Sequence, residues 1–270
     1  MEVVVKRVLY LLCVCALSVM IYSEYQNNNS LETSVENEGV EAGAFGKNQD
    51  TPSVEQGKDS TSRKIAYLTF DDGPSEVTPE ILDTLKQKKV PATFFLVGNE
   101  ITPERESIVK RELQEGHQVG IHTFSHKKNE MYCDEQAFFE DFNKCRERIS
   151  QVTGKTPTLH RFPWGSNNNY VCPIVDDIIK KLEEQKITSF DWNVSGEDSV
   201  GRNVPKAVIY QNVAKDLEKH DQPIILLHDS NTMQNTSAVL GEIIDLIVEK
   251  GYSFATLDKR EEYTFPESWR

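Results

Sequence analysis

The sequence predicts an α/β fold: a single catalytic domain built as an irregular seven-stranded β/α barrel, distorted relative to the eight-stranded TIM barrel. From Lys64 almost to the end, apolar strand-like runs alternate with segments of helical periodicity. Strict alternation implies right-handed βαβ units and a parallel sheet. Chemically active residues follow the ends of five different predicted strands, whereas an open sheet usually binds its ligand at one switch point. That distribution favours the barrel.

The predicted strands are short runs of mostly apolar residues: Ile65–Phe70, Ala92–Val97, Gln118–Ile121, Leu159–Phe162, Ser189–Val194, Ile224–Leu227 and Ser253–Leu257. Six helices connect them. The first two begin at Thr78 and Thr102, each followed by a proline, which is favoured at the first helical position. The third follows Asp134, carries apolar residues at helical spacing and ends at Gly154. The last three are predicted around Ile174–Leu182, Pro205–Lys219 and Ser237–Lys250.

Composition excludes some classes of function. The chain has 270 residues, 38% of them hydrophobic, which is enough for one sizeable core. A formal charge of −13 argues against binding to a nucleic-acid backbone. Outside the N-terminal apolar run only Cys133, Cys145 and Cys172 remain, so at most one internal disulfide can form and free thiols fit equally well. We expect a monomer.

The N-terminus predicts targeting to a membrane. Lys6 and Arg7 precede an uncharged apolar run from Val8 to Tyr22, which suits a signal-peptide core better than a full membrane span. No small-x-small cleavage site follows, so residues 1–23 are expected to form an uncleaved anchor, with a cleaved signal as the alternative. Residues 24–63 are polar and acidic, and we expect a flexible linker there. The catalytic domain is assigned to residues 64–270, outside the cytoplasm.

Two motifs together indicate a metal site. Asp71 and Asp72 end the first predicted strand, and Gly73-Pro74 forces a turn directly after them. His122 and His126 follow the third strand. One carboxylate and two imidazoles make a facial metal site with open positions, and the second carboxylate could act as a general base. Each motif alone could be a solvated turn or a pair of surface histidines, but together they predict metal-assisted hydrolysis.

Three further strand ends carry candidate residues. Arg161 could hold a neighbouring carboxylate ionised, and the turn after it leaves the Trp164 backbone N–H free to donate to an oxyanion. His228 ends a buried strand and could be either a third metal ligand or a general acid. Trp192 and Leu226 could line a groove for a sugar, although residues of these types are often plain core.

In this order and spacing, the motifs resemble those of the polysaccharide deacetylases, carbohydrate esterases with a NodB homology domain. The resemblance covers about residues 64–257. It rests on five segments: Thr69-Phe-Asp-Asp-Gly-Pro74, His122-Thr-Phe-Ser-His126, Arg161-Phe-Pro-Trp-Gly165, Asp191-Trp-Asn-Val-Ser-Gly-Glu-Asp198 and Leu226-Leu-His228. The family's distorted β/α barrel agrees with the fold predicted from the pattern.

The resemblance implies a role for each matched residue. Asp71 would be the general base and His228 the general acid, with Arg161 orienting Asp71. The metal would be divalent, zinc first and cobalt, manganese or nickel as alternatives, held by Asp72, His122 and His126. The oxyanion and the substrate would contact Trp164, Pro163, Trp192 and Leu226.

The fourth motif departs from the usual family pattern. Family members often carry two acids near this point, whereas this chain has Ser195 at one of the two positions and Asp198 at the other. Asp198 is assigned to tuning His228, with Asp191 as the competitor.

The resemblance therefore implies a metal-dependent hydrolase that removes N-acetyl groups from amino sugars of a glycan polymer. Peptidoglycan is the first choice, because a tethered domain reaches only nearby wall polymer, and chitin-like oligosaccharides are the alternative. A carbohydrate-binding wall protein that has lost catalysis is a second reading. A magnesium-dependent phosphohydrolase built on Asp71-Asp72 is a third, but it leaves the histidines without a role.

Overall fold

Residues 64–269 are described by a computed structural model, and a parallel sheet lies at their centre. Its eight strands occur in this order along the chain: β1 Ile65–Asp71, β2 Thr93–Val97, β3 Gln118–Thr123, β4 Leu159–His160, β5 Thr188–Ser189, β6 Val194–Ser195, β7 Ile224–His228 and β8 Ser253–Phe254. Across the sheet the order is β5-β4-β3-β2-β1-β7-β6, and β8 pairs with the start of β1. The sheet curls into an incompletely closed barrel, which confirms the predicted fold class.

Seven α-helices accompany the strands within the described residues: α1 Thr78–Lys88, α2 Glu106–Gln114, α3 Lys128–Met131, α4 Glu135–Thr153, α5 Val175–Glu184, α6 Lys206–Leu217 and α7 Gln234–Glu249. The start of α1 and both ends of α4 match the sequence signals. Asp134 caps α4 by accepting a hydrogen bond from the Ala137 N–H, and Gly154 ends it with φ of 69°. In contrast, α2 begins at Glu106, four residues after the predicted start at Thr102.

One predicted strand is two strands in the structure. Instead of a continuous Ser189–Val194, β5 pairs with β4 and β6 pairs with β7, at opposite edges of the sheet. Between β5 and β6 the backbone pairs first with the C-terminal segment and then with β7. The Asp191 N–H donates to the Tyr263 carbonyl at 2.7 Å, and the Asn193 N–H donates to the Ile224 carbonyl at 3.2 Å. This crossing segment spans the gap in the barrel.

The two faces of β1 explain how polar residues reach the site. Ala66, Leu68 and Phe70 belong to the large core packed against the helices. Tyr67 belongs to a smaller cluster with residues from the other strands, and the alternation of a strand places Thr69 and Asp71 on the same face as Tyr67. This inner face is apolar at the bottom of the barrel and becomes polar toward the carboxyl ends of the strands.

Some predictions concern features beyond these elements. The anchor in residues 1–23 and the linker in residues 24–63 lie outside the described residues. Among residues 64–269, no helix is both long enough and apolar enough to cross a membrane. The three cysteines in this part of the chain are free thiols: Cys145 is buried, Cys133 is exposed and Cys172 is partly exposed.

Candidate active site

The carboxyl ends of β1, β3, β4 and β7 converge on one cavity. Parallel pairing puts Asp71 of β1 level with Phe95 of β2 and with His228 of β7. Because register partners in a parallel sheet point to the same face, Asp71 and His228 project side by side. Sheet register alone therefore places an acid next to an imidazole.

Arg161 forms a buried ion pair with Asp71. Its side chain is fully buried, and one guanidinium nitrogen donates to Asp71 Oδ1 at 2.9 Å and to Thr69 Oγ1 at 2.7 Å. The remaining donors bind the backbone carbonyls of Phe190 at 2.9 Å and Asp191 at 3.2 Å. These contacts fix the guanidinium in place and hold the Asp71 carboxylate in a single orientation.

Asp72 has a backbone conformation that the sequence pattern did not reveal. Neighbouring side chains on an extended strand diverge, but Asp72 has φ of 77°, in the left-handed region that aspartate tolerates better than most residues. This turns its carboxylate toward the same cavity as that of Asp71. Burial alone would raise the pKa of Asp72, but the imidazoles of His122, His126 and His228 outweigh it and hold that pKa below the ordinary value.

His122 and His126 face the Asp72 carboxylate. Their Nε2 atoms lie 3.4 Å and 3.2 Å, respectively, from Asp72 Oδ1. The Nδ1 atom of His122 lies 2.9 Å from the Arg161 carbonyl oxygen, which can only accept, so this nitrogen carries the proton and Nε2 presents a lone pair. Burial lowers the pKa of His126. Burial therefore favours the neutral, ligating form of His126.

The three side chains fit a divalent metal ion. One donor atom from each of Asp72, His122 and His126 lies within 4.8 Å of the others. Asp72 Oδ1 is buried without a hydrogen-bond partner among the described residues, and it faces the lone pair of His122 Nε2. When the His122 ring is neutral, these two electron-rich atoms face each other, and a cation between them satisfies both. Nitrogen and oxygen donors in this combination suit zinc and its neighbours.

Asp141 of α4 builds the turn that carries the two histidines, a role that the sequence motifs did not predict. Its carboxylate accepts hydrogen bonds from Thr123 Oγ1 at 2.5 Å, Phe124 N–H at 2.6 Å and Ser125 N–H at 2.9 Å. His126 then takes φ of 52°, so the pair lies on a strand end and a turn rather than on a helix face. A signal existed: Asp141 is a charged residue on the apolar stripe of its helix.

His228 is held by Asp198 rather than by Asp191. Asp198 Oδ1 lies 2.7 Å from His228 Nδ1, and Asp198 Oδ2 accepts from the His228 N–H at 2.8 Å and from Thr236 Oγ1 at 2.8 Å. Burial by itself lowers the pKa of His228, but the hydrogen bond and charge of Asp198 outweigh it and raise that pKa to about 9. A protonated His228 therefore faces the cavity at neutral pH.

Asp191, the competing assignment, makes other contacts. Its carboxylate accepts from the Ser166 N–H at 2.9 Å, from Ser166 Oγ at 2.5 Å and from the Phe265 N–H at 2.7 Å. It therefore ties the loop after β4 to the C-terminal segment. Its backbone carbonyl binds Arg161.

The remaining predicted residues lie around the turn after Arg161. Trp164 is 46% exposed with φ of 63°, and its N–H donates no hydrogen bond within the described part of the chain. The Pro163 carbonyl behind it accepts from Tyr132 Oη and from Asn168 Nδ2. Trp192 packs edge-on against Phe265.

A cavity of about 490 Å³ brings most of the predicted site together: it is lined by Asp71, Asp72, His122, His126, Trp164, Trp192, Leu226 and His228. Arg161, Asp198 and Pro163 lie behind its wall. Glu197 and Ser199 also line the cavity, and nothing in the sequence pattern predicted a role for them. Ser199 Oγ lies 3.4 Å from His228 Nε2.

A second, polar cavity of about 310 Å³ shares Asp72 and His126 with the first. Hydroxyl and amide side chains dominate its walls, which come mainly from the loops after β1, β2, β3 and β7. The metal-ligating cluster therefore lies where the two cavities meet.

Comparison with known proteins relates this arrangement to a family. The sequence model of the polysaccharide deacetylases matches residues 58–182. A peptidoglycan-N-acetylglucosamine deacetylase of Bacillus cereus is 36% identical over 223 residues, which are 81% of this chain and 77% of that protein. A deacetylase of the same description from Listeria monocytogenes is 35% identical, over 75% of this chain and 40% of its own length.

Among solved structures, the catalytic domain of a peptidoglycan N-acetylglucosamine deacetylase from Eubacterium rectale superposes with a TM-score of 0.71. The two are 32% identical, and the match covers 76% of this chain and 94% of that one. It therefore extends over nearly all of that catalytic domain.

Proposed function

The chain belongs to the polysaccharide deacetylase family, and on that premise we propose that it removes N-acetyl groups from the amino sugars of peptidoglycan. The observation that carries the proposal is the arrangement of Asp71 and His228. These register partners face one cavity, each held by its own buried partner, beside a cluster suited to a divalent metal. Substrate choice follows the relatives, which are described as acting on peptidoglycan.

The metal is proposed to be held by Asp72, His122 and His126. When bound, a divalent ion of this class supplies Lewis-acid polarisation of the acetamide carbonyl and lowers the pKa of a coordinated water. The Arg161 carbonyl keeps the His122 ring in the tautomer that ligation needs. Asp72 keeps its negative charge and neutralises part of the ion's charge.

The proton transfers are assigned to Asp71 and His228. Asp71, oriented by the Arg161 guanidinium, accepts a proton from the attacking water. The Trp164 N–H donates to the carbonyl oxygen as that atom gains negative charge. His228 then gives its Nε2 proton to the departing amine nitrogen, because its Nδ1 proton is already committed to Asp198. The products are acetate and a free amino sugar.

The apolar part of the cavity suits the acetyl group. Leu226 is buried at the carboxyl end of β7, and the Trp192 ring lies in the segment that spans the gap in the barrel. An apolar wall excludes water from the carbonyl and strengthens the polar contacts on its other side. The exposed Trp164 ring can pack against a sugar face.

We further propose that this domain works outside the cytoplasm on a membrane tether. Residues 1–23 would be the anchor and residues 24–63 a linker whose coil spans on the order of 35 Å. The protein should then fractionate with membranes, and deletion of residues 1–23 should release it. Full-length protein that is soluble, with residues 1–23 still attached, would refute the anchor and leave the proposed activity untouched.

Acetate release from purified peptidoglycan tests the function. Metal-loaded protein should release acetate, chelation should abolish the release and a divalent metal should restore it. Asp71→Asn should lower kcat/KM by about 10² to 10⁴ while metal content stays unchanged. If the protein releases no acetate from peptidoglycan, muramyl oligomers or chito-oligosaccharides, the proposed activity is wrong and the carbohydrate-binding alternative remains. Glycan pull-down with the Asp71→Asn variant then tests that alternative.

A further inference from the structure

A basic and aromatic patch adjoins the proposed active site on the side of Trp164. The Tyr170 ring lies 6.1 Å from the Trp164 ring, which in turn lies 4.8 Å from the ring of His126. Lys128, at the start of α3, donates from Nζ to Tyr170 Oη at 2.8 Å, with Nζ 4.1 Å from the centre of that ring. We call Lys128 and Tyr170 the Lys128–Tyr170 patch.

Hydrogen bonds from one side chain hold the loop that carries Tyr170, although the Tyr170 side chain is 47% exposed. Asn168 Nδ2 donates to the carbonyls of Pro163 and Gly165 at 3.0 and 2.7 Å. Asn168 Oδ1 accepts from the N–H groups of Tyr170 and Val171 at 2.9 and 3.1 Å. The Asn168 side chain therefore connects the start of the loop to the part that carries Tyr170. An exposed aromatic ring that is fixed in advance loses little entropy when it binds a ligand.

Lys128 has no carboxylate partner among the described residues, whereas its neighbour Lys127 pairs with Glu130 at 2.9 Å. An ammonium group has three donors, and one of them binds Tyr170 Oη. Two N–H donors and the full positive charge remain available at an exposed position beside the proposed substrate groove.

We propose that the Lys128–Tyr170 patch binds the carboxylate of an acidic substituent on a sugar next to the one being deacetylated. In peptidoglycan that group is the lactyl carboxylate of a neighbouring muramic acid that carries no stem peptide, because a stem peptide converts the carboxylate into an amide. The inference rests on the proposed function and sharpens it, because chitin-like chains carry no such charge. Tyr170 contacts the sugar while Lys128 contacts the anion, and the patch thereby selects an alternating glycan over a neutral one.

Paired kinetics on two soluble substrates test the patch. The first is a tetrasaccharide of alternating N-acetylglucosamine and N-acetylmuramic acid with free lactyl carboxylates, and the second is the neutral chitotetraose. Lys128→Gln should raise KM on the muramyl substrate by about threefold to tenfold and leave KM on chitotetraose unchanged. Lys127→Gln is the matched control and should alter neither, because Lys127 already has an acidic partner.

Salt and the tyrosine hydroxyl give two further readouts. Added salt should raise KM on the muramyl substrate for the parent protein, and Lys128→Gln should remove most of that dependence. Tyr170→Phe keeps the ring but frees the ammonium, so it should produce a smaller increase in KM than Lys128→Gln.

The outcomes separate this inference from the proposed function. An equal effect of Lys128→Gln on both substrates, or no effect on either, overturns the patch while acetate release by the parent protein leaves the function standing. Absence of acetate from both substrates with metal-loaded parent protein refutes the proposed function itself.

Discussion

The two halves of the proposed site differ in secondary structure and in burial. The base half consists of Asp71, Arg161 and Thr69, which lie on or directly after strands and are buried. The acid half consists of His228, at the end of β7, and Asp198 and Ser199, which lie in the loop between β6 and α6. On that loop Ser199 is exposed, and Val200 next to it has an exposed fraction of 75%.

This difference separates two ways of positioning a catalytic group. Strand register and a buried guanidinium fix the base half, so any change there disturbs the barrel as well as the chemistry. A single buried carboxylate, Asp198, fixes the acid half by binding His228 through two donors. The residues around that carboxylate face solvent and can vary without affecting the core. We therefore expect the base half to be intolerant of change and the acid half to be adjustable.

Replacement of Arg161 should have the largest effect. Arg161→Met leaves the Asp71 carboxylate buried without a cation and removes the donors to the Phe190 and Asp191 carbonyls. We expect the free energy of unfolding to fall by about 3 to 5 kcal/mol, measured by urea denaturation, because an uncompensated buried charge remains. Deacetylation should be lost with it.

Two other variants sharpen that result. Lys110→Met removes a partly exposed i,i+4 pair with Glu106 and should cost at most about 0.5 kcal/mol. Arg161→Lys keeps a positive charge near Asp71 but loses the planar guanidinium with its several donors. Its free energy of unfolding should therefore exceed that of Arg161→Met, while most activity should still be lost. A fully stable and active Arg161→Lys protein would mean that the base half tolerates change after all.

The base half could largely be predicted from the sequence. Strand ends marked by Asp71 and Arg161 were enough to infer that these residues meet, because parallel strands bring their carboxyl ends to one edge. Two features could not be predicted from the sequence: the left-handed backbone at Asp72 and the role of Asp141 in shaping the turn before His126. Both depend on local backbone geometry and long-range contacts, which residue types and spacing do not specify.

Asp198→Asn should have the next largest effect and acts on the acid half alone. The Asp198 charge helps to raise the pKa of His228 to about 9, so neutralising it should lower that pKa. His228 must be protonated to donate, and activity is lost as pH rises through its pKa. The alkaline limb of the kcat/KM profile should therefore move to lower pH, by about one unit or more.

Asp191→Asn is the matched control, since Asp191 is equally buried but bonds Ser166 and Phe265 instead of His228. It should lower stability without moving the alkaline limb. A shift of that limb in Asp191→Asn, with none in Asp198→Asn, would reverse the assignment of the two acids.

The acid half was harder to predict, for a physical reason. The sequence suggested one strand at Ser189–Val194, but the backbone there leaves one edge of the sheet and joins the other. What decides this is pairing with Tyr263 and Ile224, residues far along the chain. Local pattern identified Asp198 and Asp191 as the candidates, but only the three-dimensional path places Asp198 against His228.

Ser199→Ala should have the smallest effect and tests how adjustable the acid half is. Ser199 Oγ lies 3.4 Å from His228 Nε2, at the long end of hydrogen-bond distances, and its side chain faces solvent. Water or the substrate amine can replace the hydroxyl, so kcat/KM should change by at most about threefold, with the pH profile unmoved. Asp198, not Ser199, sets both the orientation and the pKa of the imidazole. A loss as large as that of Asp198→Asn would mean that the loop is as tightly specified as the base half, because the exposed hydroxyl would then control the transferred proton.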